Sequence, residues 1–72
     1  MPDSIQLLDV VALTEDLPAE NLYRGQVGTV VEELDFDAFE VEFIDKQGRT
    51  YALLALKTSQ LLRLQYEPAL AA

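Results

Sequence analysis

The chain has 72 residues, a formal net charge of −8 and neither Cys nor His. A chain this short forms at most one small domain with no room for a drug-sized buried pocket, and the two missing residue types exclude disulfides, thiolate nucleophiles and the usual zinc sites. Its negative charge repels phosphate backbones and anionic lipids, so we expect a basic protein partner, no membrane partner and no nucleic acid.

The location is predicted from what the sequence lacks. The N-terminal residues contain no basic segment of the signal-peptide kind, and no stretch is long and apolar enough to span a bilayer. The absence of Cys fits a reducing compartment. We therefore expect a cytoplasmic protein.

Short apolar runs separated by turn signals about every ten residues predict an all-β fold. The first strand is predicted over Leu7–Leu13, with Asp9 on its outward face. A long polar connection, Thr14–Arg24, follows and contains one helical turn that starts near Pro18. Leu22 is expected to pack from this connection into the core.

The second strand is predicted over residues 27–34 and is preceded by Gly25, where a tight turn needs a positive φ. Gly28, inside that strand, indicates a bulge or a close backbone approach. The next run, FEVEFI at residues 39–44, alternates between apolar and acidic side chains. Its apolar members should face the core and its glutamates water, because a slip of one residue would bury two carboxylates.

A hairpin loop at Asp45–Gly48 leads to the fourth predicted strand, residues 49–56, which is apolar on both faces. This strand therefore lies centrally or has its outer face covered. The break at residues 57–60 predicts a short 3₁₀ turn before a fifth strand at residues 61–64. A helix over residues 59–66, with Ser59 as its N-cap, is the alternative.

These elements describe a small five-stranded SH3-like barrel with a long first loop and a 3₁₀ turn before the last strand. The predicted domain covers residues 7–64. Residues 1–6 form an N-terminal tail and residues 65–72 a C-terminal tail.

Three segments carry a family resemblance: LDVVALTEDLP at residues 8–18, RGQVGTVV at residues 24–31 and EVEF at residues 40–43. Together they resemble the domain of unknown function 4926 family over about residues 7–64. The resemblance implies a small stand-alone bacterial protein with an SH3-like fold, encoded beside another small reading frame in the manner of toxin–antitoxin pairs. It defines no catalytic or ligand-binding residue. RGQVGTVV also resembles the KOW motif, whose glycine turn presents a hairpin to RNA, but the surrounding charge is wrong for RNA.

The largest chemical feature is an acidic block without a basic residue, spread over fourteen positions. Its members are Glu32, Glu33, Asp35, Asp37, Glu40, Glu42 and Asp45. One reading is a solvated edge that keeps the protein soluble; the other is a docking surface that steers a basic partner. Phe36 lies between two aspartates at a predicted turn, where it either caps the barrel or serves as an aromatic anchor.

The predicted partner-binding residues are the carboxylates of this hairpin and two aromatic residues. They are Phe36, Tyr23, Glu33, Asp35, Asp37, Glu40 and Glu42. The block has only a fragment of the calcium-loop spacing and no walled cleft that could tune a carboxylate pair, so we expect no metal, no cofactor and no enzyme.

The sequence thus favours a non-enzymatic interaction module whose acidic face docks a basic partner, with an antitoxin or immunity protein as the concrete form. The alternatives are a KOW-like nucleic-acid-associated module and a structural subunit of a larger complex. The apolar residues between Tyr51 and Leu64 exceed what so small a core can bury, which also makes a homodimer a candidate state.

Overall fold

A computed structural model describes residues 4–35 and 37–65 of the chain. These residues form five β-strands and two 3₁₀ turns, at Pro18–Glu20 and Thr58–Gln60, in the all-β arrangement that the sequence predicts. The strands are β1 (Val10–Leu13), β2 (Val27–Asp35), β3 (Ala38–Ile44), β4 (Thr50–Lys57) and β5 (Leu61–Arg63). The described residues contain no helix with the length and apolarity needed to cross a membrane.

All strand pairs are antiparallel, and the strands follow the order β4-β3-β2-β1-β5 in one sheet. The two edge strands are β4 and β5, so the sheet is open and not a barrel closed by backbone pairing. The three residues of β5 pair with β1 on one side, and no described strand pairs with the other side. The edge position of β4 also corrects the alternative that placed this doubly apolar strand at the centre of the sheet.

One hydrophobic cluster holds the sheet together, and its members come from every strand and from the long first loop. The fully buried side chains of Val11, Val30, Val41 and Phe43 project from neighbouring strands, as the alternation of residues 39–44 predicts. Leu22 is also fully buried, and its backbone pairs with that of Leu17 across the first 3₁₀ turn. The predicted role of Leu22 is therefore confirmed.

The first strand begins three residues later than predicted, because a turn replaces its first residues. Asp9 accepts a hydrogen bond from the Gln6 backbone N–H through Oδ2 at 2.8 Å, and its own N–H donates to the Gln6 carbonyl. Leu8 adopts a φ of 72°, which a strand does not permit. Asp9 is half-buried and not outward-facing, since Arg63 donates to it through Nε at 3.0 Å.

The later connections follow their turn chemistry. Asp45 Oδ1 accepts hydrogen bonds from the backbone of Gln47 and Arg49, and Gly48 supplies a φ of 82° at the end of the loop. Residues 58–60 form the predicted 3₁₀ turn, and the next three residues are a strand and not the alternative helix. Residues 66–72 of the predicted C-terminal tail lie outside the described residues.

Candidate functional site

The pairing of β2 with β3 decides which carboxylates share a face. Val30 lies opposite Val41 with both side chains buried, so the next cross-strand pair along the sheet points outward. That pair is Glu32 with Glu40. Glu42 follows two residues along β3, opposite Thr29, and belongs to the same outward side.

Two register shifts in β2 produce this arrangement. They leave Val31 and Leu34 without a partner on β3, and both side chains are exposed. A regular register continued from Val30 would place Val31 opposite Glu40 and turn Glu32 inward. With the shifts, Asp35 lies opposite Ala38 and joins the outward carboxylates. We call Glu32, Asp35, Glu40 and Glu42 the acidic face.

Glu33 does not belong to the acidic face, although the sequence placed it among the partner-binding residues. It lies opposite Phe39, whose side chain is buried in the core, so Glu33 is on the inward side of the sheet. Its side chain is nevertheless exposed to solvent. The first register shift exchanges Glu32 and Glu33 between the two sides, and the sequence carries no signal for that shift.

One cation lies on the same outward side as the acidic face, since Lys57 at the end of β4 is opposite Ala38 on β3. Ion pairs between described residues join Arg49 to Asp45 and Arg63 to Asp9, away from this face. Cα atoms that oppose each other across an antiparallel pair lie about 5 Å apart, so Glu32 and Glu40 place two like charges side by side on neighbouring strands. Neither accepts a hydrogen bond from a described residue.

Glu42 differs from its two acidic neighbours because it has a partner. The hydroxyl of Thr50 at the start of β4 donates to Glu42 Oε2. Glu42 is half-buried, as Glu40 is, and Leu53 lies opposite it on β4. Glu42 is thus the anchored end of the acidic face, and the Glu32–Glu40 pair is its uncompensated part.

Strand β4 adds apolar surface beside these carboxylates. Ala55 lies opposite Glu40 and Leu53 lies opposite Glu42, and both apolar side chains are exposed, Leu53 at 54%. Neither residue was predicted to be part of the site. The signal for them was the apolar character of both faces of residues 51–56, which predicted a central strand or a covered outer face. In the structure β4 is an edge strand, and Leu53 on its outer face is exposed.

The turn between β2 and β3 holds two further residues of the predicted site, of which the structure describes Asp37. Asp37 is exposed in this turn, and its backbone carbonyl accepts a hydrogen bond from the Thr58 N–H at 3.2 Å. Phe36, the predicted aromatic anchor, lies outside the described residues. Asp45 belongs to the acidic block in sequence but serves the β3–β4 hairpin loop.

Tyr23 is separated from the acidic hairpin. Its backbone N–H donates to Gln26 Oε1, and Gln26 Nε2 donates to the hydroxyl of Tyr51 at 2.8 Å. The ring of Tyr51 lies 6.3 Å from that of Phe43, near the end of β3 opposite to the β2–β3 turn. At about 3.3 Å per residue, β3 spans roughly 20 Å between these ends. Tyr23 and the turn aspartates therefore do not form one site.

The described residues contain no group of three or more carboxylates arranged to hold a metal ion. The acidic face combines carboxylates on β2 and β3 with the exposed apolar side chains of Leu53 and Ala55 on β4. A surface of this composition can attract cations and bury apolar area against another molecule.

Comparison with known families gives one match. The family model described as "Domain of unknown function (DUF4926)" matches residues 7–63, which include all five strands and the acidic face. No significant match is found among curated proteins or among solved structures.

Proposed function

The chain belongs to the DUF4926 family, whose model covers most of its length, and from the chemistry of its surface we propose that it is a non-enzymatic interaction module whose acidic face docks a basic protein. The place of action is the bacterial cytoplasm. No cofactor takes part, since docking needs only charge, shape and apolar contact.

The observation that carries this proposal is the opposition of Glu32 and Glu40, neither of which forms an ion pair with a described residue. Like charges directly opposite each other destabilise a sheet, typically by a few tenths of a kcal/mol. A chain that needed only solubility could carry its carboxylates apart. A partner that places a cation between these two carboxylates converts their repulsion into attraction.

Leu53 and Ala55 give the docking surface a second kind of contact. They flank the carboxylates with apolar area that is already exposed, and the burial of such area is what holds complexes together. The matching partner surface has Arg or Lys side chains around a small apolar centre. Arg fits best because its planar guanidinium can bond two carboxylate oxygens at once.

The concrete form of this function is that of an antitoxin or immunity protein. A basic nuclease holds its substrate with cationic side chains, and a row of carboxylates on a rigid strand pair can occupy the same positions. Electrostatic attraction would make association fast and sensitive to salt.

The test is affinity capture from extract of the source bacterium, followed by calorimetric titration of the purified retained protein. The test variant is Glu32→Gln with Glu40→Gln. The matched control is Glu15→Gln with Glu20→Gln on the long first loop, which also removes two negative charges. We expect the test variant to weaken binding by at least about tenfold and the control by less than about twofold, with affinity falling as salt increases.

Equal binding by both double variants would contradict the proposal, and so would a retained partner without a basic surface. A gel-shift assay with RNA at low salt tests the alternative that the protein is a KOW-like nucleic-acid-associated module. Salt-sensitive binding of RNA there would overturn the docking of a basic protein as the main function.

A further inference from the structure

Among the described residues, strand β4 has one unpaired side, except at its last residue, where the Lys57 N–H donates to Gln60 Oε1 at 2.9 Å. Its eight residues, Thr50–Lys57, pair with β3 on one side, and no described strand lies on the other side. The opposite edge of the sheet, β5, has only three residues and carries Arg63. Long edges with unpaired backbone groups are templates for a further strand.

The β4 edge lacks the features that usually block such pairing. It contains no Pro, and its only charged residue is Lys57 at its end. Its middle is apolar, with Leu53 exposed and Leu54 half-buried. Natural edge strands are commonly protected by prolines, by central lysines or by inward-pointing charges. This edge is therefore suited to a partner strand with an equally apolar middle.

We propose that the β4 strands of two copies of this chain pair antiparallel around a two-fold axis at Leu54, which joins the two sheets into one. In that register Leu54 meets itself across the axis. Leu53 of each copy lies beside Ala55 of the other, so the two exposed apolar side chains of the outer face cover each other.

Charge favours the register with the axis at Leu54 over the register with the axis at Leu53. With the axis at Leu54, Lys57 lies opposite Tyr51 of the second copy, next to Thr50, whose hydroxyl binds the carboxylate of Glu42. The cation thus approaches an aromatic ring and an acidic face. With the axis at Leu53, Lys57 would instead oppose the highly exposed Arg49, which has the same charge.

The dimer is expected to respond to salt in the opposite way from the docking of a basic protein. Each copy carries a net charge of −8, so the two copies repel each other at long range. At physiological ionic strength the Debye length is about 8 Å, and added salt screens this repulsion while leaving backbone pairing intact. This inference does not rest on the proposed function. Leu53 and Ala55 belong to both surfaces, so a second copy paired along β4 and a docked basic protein would compete for them, and their opposite salt dependences distinguish the two.

The test is sedimentation velocity of the full chain from about 10 to 500 µM, at about 50 and 500 mM sodium chloride. The test variant Leu53→Lys puts a charge at the middle of the β4 edge, opposite Glu42. The matched control Leu62→Lys changes a side chain of nearly equal exposure, 57% against 54%, on β5. Both side chains are solvent-exposed, and circular dichroism checks that both variants are folded.

We expect a monomer–dimer equilibrium that strengthens with salt. Leu53→Lys should raise the dissociation constant at least about tenfold and Leu62→Lys less than about twofold. Hydrogen exchange should show β4 amides gaining protection as concentration rises, with β5 amides unchanged. A monomer under all conditions, equal effects of the two lysines, or protection that appears at β5 would each overturn the inference.

Discussion

At the scale of single residues, Gly28 permits the closest approach within the sheet. A Cβ atom at this position would lie 2.8 Å from the carbonyl oxygen of Glu42 and 2.8 Å from Cγ1 of the buried Val41. Neither atom can retreat, because one is backbone and the other is packed in the core. The glycine that resembles part of an RNA-binding turn therefore serves the packing of β2 against β3, and so positions the strand that bears the acidic face.

Gly28→Ala is expected to lower the free energy of unfolding by about 2–3 kcal/mol, because an extra methyl group must displace packed atoms. Gly48→Ala is the control. Gly48 has open space around its Cβ direction and a φ of 82°, so only backbone strain of about 1 kcal/mol is expected there. Urea unfolding of both variants measures the difference. A smaller loss for Gly28→Ala than for Gly48→Ala would show that β3 yields to the methyl group.

At the scale of elements, the register of the β2–β3 hairpin determines which carboxylates lie opposite each other. The shifts at Val31 and Leu34 bring Glu32 opposite Glu40, and they leave two apolar side chains exposed on the same strand. Bulges twist and bend a strand locally, so they also shape the surface that a partner would meet. The exposed apolar side chains and the opposed glutamates destabilise the hairpin locally. Its register is nevertheless retained, because the side chains of β3 are buried in the core.

Glu40→Lys is expected to stabilise the fold by about 0.5–1 kcal/mol, because it replaces a like-charge pair with an opposite-charge pair across the strands. Glu20→Lys on the first 3₁₀ turn changes the net charge by the same amount and serves as the control. Thermal and urea unfolding at low salt compare them. If both lysines stabilise the protein equally, the gain comes from net charge and not from the opposition of Glu32 and Glu40.

At the scale of the whole molecule, the stabilisation from a small core is opposed by the repulsion that comes from a large net charge. A domain of this length buries only about 60% of the surface that its unfolded chain exposes, and a stability of roughly 4–10 kcal/mol is typical. A net charge of −8 adds repulsion that the few basic residues of the chain do not balance. The stability of the folded state is thus expected to depend on ionic strength through the net charge of the whole molecule and not through any single residue.

Added sodium chloride should therefore raise the melting temperature by several degrees between about 20 and 300 mM, since screening relieves the repulsion within the folded state. The same change should be smaller in Glu40→Lys, which removes part of the repulsion. Circular dichroism melts measure the change in melting temperature for the protein and for Glu40→Lys. Low protein concentration avoids interference from dimers. Melting curves that coincide at all salt concentrations would show that the carboxylates are too far apart to matter.

Much of the fold was predictable because the signals that carry it are local. The alternation of residues 39–44, the positive φ expected at Gly25 and the buried Leu22 all follow from period-two patterning, turn chemistry and a single apolar residue in a polar loop. The first strand was predicted too long, because Leu7 and Leu8 are apolar but lie in a turn held by Asp9. A hydrogen bond between a side chain and the backbone outweighed the apolar pattern there.

The candidate site was predictable in composition but not in arrangement. The acidic block predicted a charged hairpin. In the structure, however, Glu33 lies on the inward side of the sheet and Glu32 lies on the outward side. Tyr23 belongs to the far end of the sheet with Gln26 and Tyr51. These placements depend on which residue of one strand meets which residue of the next, and that information is distributed over both strands.

An all-β chain with an alternating core strand, a hydrophobic loop residue in the core and an excess of carboxylates can be predicted from the order of residues. Those properties depend on neighbours along the chain. The folded sheet is needed to show that β4 is an edge, that two shifts in β2 turn Glu32 outward, and that Leu53 lies opposite Glu42. A strand's faces follow from its own residues, but its partners and register follow from how the whole sheet packs its core.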